Sequence, residues 1–485
     1  MGKIFGDNKL ATPDFENVSN YELMKYCMKD TRVLATIMKK HIEFLKLHDL
    51  GNFKLTIAGQ SWGAFRHRFM SEKILVHTYD DILKMELESY RGGRCEVFQM
   101  GKHSDIYKLD INSMYPFIMR NQMFPTQLIS GKKILNGIGT LESLINKDIF
   151  VLADCDIHLE KPGIAIKKDK LLFPVGNVRQ VITNPEIKML IENPDIGTII
   201  KVHESATYKQ ANLFKRYVDY FYDIRMNTEN KAYEALAKLF LNTLYGKFGQ
   251  RSFAKYIPVT DPHLIETINE ALNETGTNVI DWLNHDVKRY IRLGDRLYSI
   301  DNSLDILAYD SCPIIASTVT SYARNYLFEV FLKAGIENVL YCDTDSVFVN
   351  ESGYHNLKPM IHQNELGKLK VEEIGSCEIF GAKNYQFNDS IKLKGVKKDA
   401  IKVCAECDIE VKEVAHGILA CPKCDKVWNN EYKQTQFLTK NLRYRQGIPD
   451  GIVKVVDTVK HISMDYDKGT VDHAGTVHPL VFSDF

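Results

Sequence analysis

The sequence Tyr341-Cys342-Asp343-Thr344-Asp345-Ser346 stands between the apolar runs Val339-Leu340 and Val347-Phe348-Val349. Apolar residues on both sides of a short polar centre predict two strands joined by a tight turn. Asp343 and Asp345 are two residues apart, so in an extended backbone their carboxylates leave the same face. Adjacent carboxylates repel each other, and a divalent cation between them relieves that repulsion. An isolated Asp-x-Asp is most often a solvated turn, so the interpretation depends on the rest of the chain.

Length and composition set broad limits. A chain of 485 residues with 45% hydrophobic content can bury large cores and divide into several subdomains. Basic and acidic residues balance at 62 each, so an anionic ligand must be held by local basic patches. No apolar run approaches the ~20 residues of a membrane span, and no signal-peptide pattern is present. We therefore expect a cytoplasmic protein without a membrane partner.

A third acidic residue follows a predicted strand far upstream. Residues 104–116, Ser-Asp-Ile-Tyr-Lys-Leu-Asp-Ile-Asn-Ser-Met-Tyr-Pro, predict a strand that delivers Asp110 near its end and stops at Pro116. Earlier, Tyr90-Arg91-Gly92-Gly93 leads into another strand. Its paired glycines fit either a close approach of backbone to a phosphate or a plain tight turn. Residues 149–157 and 164–173 are the clearest strands further on.

Helical spacing of apolar residues marks further segments. A long amphipathic helix is predicted from about Tyr21 to Asp49, and another from about Glu229 to Phe248. In the second helix Lys238, Asn242 and Tyr245 share the face opposite the apolar stripe, with Lys231 close to it. That face is either simply solvated or suited to a polyphosphate beside a flat ring system.

Four cysteines form the most specific spacing in the chain. Cys404-x2-Cys407 and Cys421-x2-Cys424 are separated by 13 residues. Two such knuckles supply four soft thiolates for a closed tetrahedral site, which selects Zn²⁺ and is typical of structure rather than catalysis. A redox pair is the alternative, but it needs only one Cys-x-x-Cys.

Taken in order, these motifs resemble a known family. Asp110-Ile-Asn-Ser-Met-Tyr-Pro116, Lys238-x3-Asn242-Thr-Leu-Tyr-Gly246 and Tyr341-Cys-Asp-Thr-Asp-Ser346 resemble motifs A, B and C of family B DNA polymerases. The sequences of these motifs are most similar to those of the protein-primed branch found in phages and linear plasmids. Tyr90-Arg-Gly-Gly93 is similar to the Tyr-x-Gly-Gly linker before the palm, and Lys383-Asn-Tyr385 to the Lys-x-Tyr motif.

The resemblance implies an α+β right-hand polymerase with palm, fingers and thumb, an antiparallel palm sheet and an inserted zinc ribbon, which is unusual for this branch. The implied domains are 1–88, a remnant of an exonuclease domain; 89–209, the first part of the palm with motif A and an insertion; 210–250, the fingers with motif B; 251–308, a segment that could hold a processivity-type insertion; 309–400, the second part of the palm with motif C; 401–428, the zinc ribbon; and 429–485, the thumb.

The resemblance also implies roles for the motif residues. Asp110, Asp343 and Asp345 would be the catalytic aspartates, with Asp110 and Asp345 as the principal ligands of two Mg²⁺ ions. Tyr115 would lie under the sugar and exclude a 2′-hydroxyl. The other implied nucleotide contacts are the backbone at Ile111 and the side chains of Arg225, Lys231, Lys238, Asn242 and Tyr245; the implied DNA contacts are Tyr90, Arg91, Gly92 and Gly93 on the template and Lys383 and Tyr385 on the primer end.

The expected activity is template-directed addition of deoxynucleotides to a primer 3′ end by two-metal-ion catalysis, for replication of a viral or plasmid genome, in the host cytoplasm if viral. The expected partners are primer–template DNA and dNTPs, and the expected cofactors are two Mg²⁺ ions and one structural Zn²⁺. Two alternatives stay open. The chain could initiate synthesis on a dedicated terminal protein, or it could be a degenerate polymerase kept as a nucleic-acid scaffold.

An exonuclease is expected only in part. Tyr26-Cys-Met-Lys-Asp30 resembles the third acidic motif of the family's 3′–5′ exonuclease, and the first two motifs do not precede it. One aspartate cannot hold that site's two metals, so excision is not expected from this chain alone. The apolar face from Leu23 to Leu45 has too little chain upstream to cover it, which predicts an interface for a separate exonuclease chain.

Overall fold

The computed structural model describes residues 7–11, 13, 17–131, 138–251, 255–275, 279–284, 286–293, 296–301, 308, 311–415, 418–437, 455–463 and 465–483. The helices are α1 Asn20–Leu47, α2 Ile57–Ala64, α3 Asp80–Ser89, α4 Met114–Asn121, α5 Ile138–Asn146, α6 Asn184–Glu192, α7 Lys215–Asn227, α8 Lys231–Phe248, α9 Pro262–Thr275, α10 Pro313–Ala334 and α11 Glu351–Leu357. The strands are β1 Cys95–Val97, β2 Gly101–Ile111, β3 Phe124–Ser130, β4 Phe150–Leu159, β5 Ile166–Lys167, β6 Leu171–Leu172, β7 Val175–Thr183, β8 Gly197–Ala211, β9 Lys255–Pro258, β10 Val279–Asn284, β11 Asp286–Leu293, β12 Arg296–Asp301, β13 Val339–Asp343, β14 Ser346–Val349, β15 Leu369–Gly381, β16 Asn384–Phe387, β17 Ser390–Lys392, β18 Ile401–Cys404, β19 Ile409–Glu410, β20 Lys412–Ala415, β21 Ile418–Ala420, β22 Glu431–Phe437, β23 Val455–His461, β24 Gly469–Val471, β25 Val477–Pro479 and β26 Val481–Phe482.

A seven-stranded antiparallel sheet carries the Asp-Thr-Asp turn. Its strand order is β1-β13-β14-β2-β15-β16-β17. The hairpin β13–β14 reverses at Thr344, whose φ of 64° supplies the left-handed residue of the turn. The strands beside the turn are almost wholly buried, and residues of α10 belong to the same hydrophobic core. The sheet thus fixes the turn from both sides.

Strand β2 ends differently from the prediction. The strand was expected to continue to Pro116, but it ends at Ile111 and α4 begins at Met114. Pro116 lies in the first turn of α4, where a missing N–H costs no hydrogen bond and the fixed φ suits a helix. The proline therefore starts a helix instead of stopping a strand.

A five-stranded sheet, in the order β26-β7-β4-β8-β3, occupies much of the segment expected to be an insertion. Strand β4 lies where residues 149–157 predict it. The prediction of one strand over 164–173 is wrong. The chain forms the short hairpin β5–β6 instead, because the N–H of Lys168 bonds to the carbonyl of Lys170 (3.0 Å) and reverses the backbone.

The C-terminal part of the chain returns to the palm. Strand β26 joins the five-stranded sheet, with Val481 parallel to and opposite Val175. The Tyr466 hydroxyl accepts the N–H of Val97 (3.1 Å), and Lys468 donates to the carbonyl of Cys95 (2.9 Å). Within 429–485, the segment expected to form the thumb, Tyr466, Lys468 and Val481 therefore contact β1 and β7.

The N-terminal helices pack on α7 and α8. Phe44 of α1 contacts the ring of Tyr233 on α8, with centroids 5.0 Å apart. In the other half of α1, Tyr21, Met24 and Met28 are exposed. Leu34 and Ile42 of the predicted apolar face are also exposed, whereas Phe44 and Leu45 are buried, so the prediction of an uncovered face is wrong only for the C-terminal end of α1. Across the described part of the chain, no helix is both long and apolar enough to cross a membrane.

Two small modules complete the described structure. In one, helix α9 packs on the sheet β10-β11-β12-β9 through a small core that contains Ile268, Leu272, Tyr290 and Leu297. In the other, the sheet β19-β18-β22-β23 joins the first cysteine knuckle to the hairpin β22–β23. The residues between β22 and β23, 438–454, lie outside the described part of the chain.

Candidate active site

Asp110 and Asp345 come from neighbouring strands. Pairing of β2 with β14 sets Asp110 opposite Ser346, and the N–H of Ile111 donates to the carbonyl of Asp345 (2.7 Å). Burial and the nearby Asp110 carboxylate raise the pKa of Asp345 to about 6. Burial also raises the pKa of Asp110, although Lys370 opposes this shift. Two partly buried carboxylates that repel each other fit a divalent cation, which would stabilise both in the charged form.

Asp343 interacts with a different set of charges. One carboxylate oxygen lies 3.0 Å from Lys383 Nζ, and the other lies 3.5 Å from Lys392 Nζ. Within the described ranges, the only group of three or more candidate metal ligands is the set of four cysteines. Asp343 is thus not gathered into one cluster with the other two aspartates, and Asp110 and Asp345 are the candidate metal pair.

The Tyr90–Gly93 loop approaches the Asp-Thr-Asp turn closely. The N–H of Thr344 donates to the carbonyl of Arg94 (2.7 Å). A Cβ at position 93 would lie 3.0 Å from Thr344 Cγ2 and 3.2 Å from the Tyr115 hydroxyl, so a larger residue here would require these side chains to shift by a few tenths of an ångström. Gly92 is exposed and has open space around it. Tyr90 packs against Gly249, just after α8.

The Arg91 side chain points into the core. It is 1% exposed, lies 3.6 Å from the Glu186 carboxylate and donates to the carbonyl of Val181. Arg324 bonds to the same carboxylate (3.0 Å) and to the carbonyl of Arg91 (2.9 Å). The prediction that the Arg91 side chain contacts the template is therefore wrong, because Glu186 takes up its charge inside the protein.

Tyr115 and Tyr245 join the start of α4 to the end of α8. Their rings stack with centroids 4.6 Å apart and an interplanar angle of 25°. Lys238 and Asn242 are exposed on α8 at the spacing that places them on the same face as Tyr245. An aromatic platform, an amide and a cation thus lie along one side of this helix.

The remaining nucleotide-contact predictions have mixed outcomes. Arg225 donates to Ser113 Oγ (2.5 Å), directly before α4. Lys231 pairs instead with Glu234 (2.9 Å) and is largely exposed. The N–H of Ile111 is bonded to the carbonyl of Asp345, and a nucleotide contact by the Ile111 backbone stays a prediction. The first turn of α4 is the next place along the chain where amides lack helical partners.

Lys383 and Tyr385 lie beside Asp343 in different environments. Lys383 has a φ of 63°, and its N–H donates to the Tyr341 hydroxyl (3.0 Å) while its ammonium pairs with Asp343. The Tyr385 ring is buried, with its centroid 5.2 Å from that of Tyr341 and 5.1 Å from that of Phe348. The Lys383 ammonium therefore lies near the turn, and the Tyr385 ring packs in the core against Tyr341 and Phe348.

Two lysines outside the recognised motifs belong to the site. Lys370 lies 3.1 Å from Asp110, and Lys392 lies beside Asp343. Lys392 lies in the basic stretch 391–398, which is visible in the sequence but does not by itself indicate this site. No sequence pattern indicated Lys370, because its position opposite Asp110 depends on the register between β15 and β2.

Tyr26 and Asp30 lie one turn apart on α1, as their spacing predicts. Lys9 forms an ion pair with Asp30 (2.8 Å). Among the described residues, no set of three metal-ligating groups includes Asp30.

The four cysteines converge as their spacing predicts. Their sulfur atoms all lie within 4.8 Å of one another, and those of Cys404 and Cys424 are 3.8 Å apart. A tetrahedral ion with ~2.3 Å metal–sulfur bonds sets sulfurs about 3.8 Å apart. Backbone N–H groups of Lys423 and Cys424 lower the pKa of the Cys421 thiol to about 7, whereas hydrogen bonds with the neighbouring thiols raise the pKa of Cys407 to about 12. The donor set fits zinc.

Asp345 is expected to destabilise the metal-free protein at neutral pH. Its pKa of about 6 in the folded state lies above the ordinary 3.8, so between these values the folded protein holds a proton that the unfolded chain has lost. Stability therefore falls as the pH rises through this window, by about 3 kcal/mol. In EDTA at pH 7.5, Asp345→Asn should raise the thermal unfolding midpoint, and the gain should shrink to roughly half at pH 5. A gain that does not depend on pH would contradict the electrostatic explanation.

The family of the chain follows from comparison with known proteins. The model of the family described as "DNA polymerase type B, organellar and viral" matches residues 8–325. The chain belongs to this family, and the resemblance seen in the motifs is confirmed.

Similar proteins agree with this assignment. The chain is 24% identical over 378 residues to a "Probable DNA polymerase" of Neurospora intermedia, covering 73% of this chain and 36% of that protein. It is 26% identical over 344 residues to the DNA-directed DNA polymerase of Enterobacteria phage PRD1, covering 68% and 54%. The chain thus spans between a third and just over half of the length of these curated relatives.

A solved structure shows the fold. Phi29 DNA polymerase, complexed with primer-template DNA and incoming nucleotide substrates, matches with a TM-score of 0.58 at 17% identity, over 96% of this chain and 78% of that one. The fold is that of a right-hand type B polymerase, an α+β fold with an antiparallel sheet.

Proposed function

We propose that this chain is a DNA-directed DNA polymerase that adds deoxynucleotides to a primer 3′ end during replication of a viral or plasmid genome. The observation that best supports this is the coupled carboxylate pair Asp110–Asp345 close to the stacked rings of Tyr115 and Tyr245. Two Mg²⁺ ions held by these carboxylates would stabilise the attacking 3′ oxygen and the leaving pyrophosphate oxygen.

The chain's own residues would bind and orient the nucleotide. Lys238 and Arg225 would neutralise charge on the triphosphate, helped by Lys231 once it leaves Glu234. Asn242 and Tyr245 would line the pocket, and Tyr115 would lie under the sugar. In this arrangement α8 supplies the cation and the stacking surface, and the palm sheet supplies the carboxylates.

The DNA contacts follow from the same geometry. Lys383, beside Asp343, would hold the primer end. The buried ring of Tyr385 would keep strand β16 of the protein in place next to it. The template would meet the backbone of Gly92 and Gly93, with Tyr90 at its edge; Arg91 would act only by holding this loop from inside.

The domain boundaries are part of this proposal. Palm segments 89–209 and 309–400 would surround fingers at 210–250 and a processivity-type module at 251–308, and 1–88 would be the exonuclease remnant. The zinc ribbon at 401–428 would continue into a thumb that ends near residue 461, because the chain then returns to the palm.

Primer extension tests the function directly. Purified chain, Mg²⁺, dNTPs and a primed single-stranded template should give products that lengthen with time and depend on template sequence. A parallel reaction with a mismatched primer terminus reports excision. Tight DNA binding without extension would favour the degenerate scaffold.

Initiation on a terminal protein is the second candidate, supported by the similarity to the phage relatives. Nucleotide transfer to a protein hydroxyl, without any DNA primer, would distinguish it.

A separate exonuclease chain on residues 1–50 is a further proposal, supported by exposed Tyr21, Met24 and Met28 on α1. Mismatch excision by the purified chain alone, lost in Asp30→Ala, would contradict the expectation that this chain does not excise. A stable monomer whose activity and fidelity are unchanged on deleting residues 1–50 would count against the docking of a second chain.

Tyr115→Val is expected to admit ribonucleotides. The shorter side chain opens space under the sugar, so the ratio of ribo- to deoxynucleotide incorporation should rise on the order of tenfold or more. Tyr115→Phe keeps the ring and is the matched control, which should retain discrimination. Equal ratios for Tyr115→Val and the wild type would exclude Tyr115 from that role.

A further inference from the structure

Lys370 lies directly opposite Asp110 in the palm sheet. The antiparallel pairing of β15 with β2 aligns these two residues, so their side chains share one face. Lys370 Nζ lies 3.1 Å from Asp110 Oδ2. The carboxylate of Asp110, a candidate metal ligand, is therefore already paired with a cation that the neighbouring strand supplies.

The same ammonium has a second carboxylate within reach. Lys370 Nζ lies 3.5 Å from Glu372 Oε1, two residues along β15. Glu372 is also 3.3 Å from Lys108, so its charge is shared with another cation. Lys370 thus stands between two anions and is 30% exposed, which leaves its long side chain room to move.

Other charges around Asp110 do not have this geometry. Lys108 faces Glu372 and Glu373, and Lys383 and Lys392 pair with Asp343. Asp345 contributes a negative charge. Among the charged residues that the structure describes here, Lys370 is the one cation that forms an ion pair with Asp110.

We propose that Lys370 is a tethered counter-ion, which neutralises Asp110 when no divalent cation is bound and passes to Glu372 when one binds. This inference rests on the proposed role of Asp110 as a metal ligand. An ammonium and a divalent cation on one carboxylate repel each other strongly at such distances. Glu372 gives the displaced ammonium a partner, so metal binding leaves no buried charge unpaired.

Opposite shifts in metal affinity are the signature of this arrangement. Lys370→Met removes the competing cation, so the metal dissociation constant should fall about three- to tenfold. Glu372→Gln removes the alternative partner and holds Lys370 on Asp110, so the constant should rise by a similar factor. A purely structural role for Lys370 would weaken binding in both variants.

Direct titration of metal-free, full-length protein with Mn²⁺, read as free ion by electron paramagnetic resonance, measures this without turnover. Lys370→Arg keeps the charge and should stay within about twofold of the wild type, as should Lys102→Met, a change of an exposed lysine on β2. Lys370→Gln is a second, polar neutral variant that should behave like Lys370→Met.

The outcomes separate the inference from the proposed function. If Asp110→Asn leaves Mn²⁺ binding unchanged, the metal site itself is wrongly assigned. If Asp110→Asn weakens binding but Lys370→Met and Lys370→Gln leave it unchanged or weaker, the metal site stands and the counter-ion role of Lys370 is refuted.

Discussion

Asp345→Asn is expected to reduce primer extension by about three orders of magnitude or more, while the dissociation constant for primer–template DNA stays within about twofold. The carboxylate would act on charge that develops at the reacting oxygens, so its loss costs the transition state more than the docked complex. The same should hold for Asp110→Asn, because the two carboxylates are coupled. Single-turnover extension and a separate DNA-binding titration measure the two quantities independently.

Glu378→Gln is a suitable control for this pair. Glu378 lies on β15 in the same sheet, is about one-third exposed, and has only a distant pairing with Lys102 (4.0 Å). Its neutralisation should leave extension within about twofold of the wild type. Comparable extension by Asp345→Asn and Glu378→Gln would refute the site. A parallel loss of DNA binding in Asp345→Asn would instead indicate damage to the palm.

Local patterns predicted the centre of the site because each part is encoded within a few residues. Asp110 ends a strand, and Asp345 follows a left-handed Thr344 between two apolar strands. Motif order then indicated that the two segments belong together. The helical face of Lys238, Asn242 and Tyr245 depended only on helical spacing, and α8 has the expected extent.

The parts that sequence did not predict depend on contacts between distant segments. Lys370 meets Asp110 only in one register, and β15 is irregular between Val371 and Glu373 and again between Gly375 and Cys377. A slip of one residue would move every side chain to the other face, and no local pattern fixes that choice.

Arg91 shows the opposite error. The family resemblance implied a template contact for Arg91, but the buried carboxylate of Glu186, far along the chain, pairs with its side chain instead. Two apolar residues at β26 are likewise too few to predict a parallel pairing with β7. In each case the missing information was the identity of a distant partner.

Replacing Cys404 or Cys424 by Ser is expected to reduce bound zinc from about one ion per chain to none, as elemental analysis would show. Structural zinc contributes ~10–16 kcal/mol of apparent binding free energy in small peptides, so the module around it should lose its structure. Cys27→Ser is the matched control, since Cys27 is an exposed thiol on α1 outside the cluster. Zinc absent from the wild type, or retained by both ligand variants, would refute the site.

The effect of zinc loss should extend along a defined route. Strand β18 carries Cys404 and pairs with β22, where buried Gln434 accepts the N–H of Lys397 (2.7 Å) and donates to the carbonyl of Gly395 (2.9 Å). These bonds hold the basic turn that follows Lys392, which lies beside Asp343. Hydrogen exchange in Cys424→Ser should therefore accelerate at least about a hundredfold over residues 401–437 and also in 394–398, with β2 unchanged. Equal acceleration in β2 would show that the ion supports the whole palm, and acceleration confined to the knuckles would show that the basic turn does not depend on it.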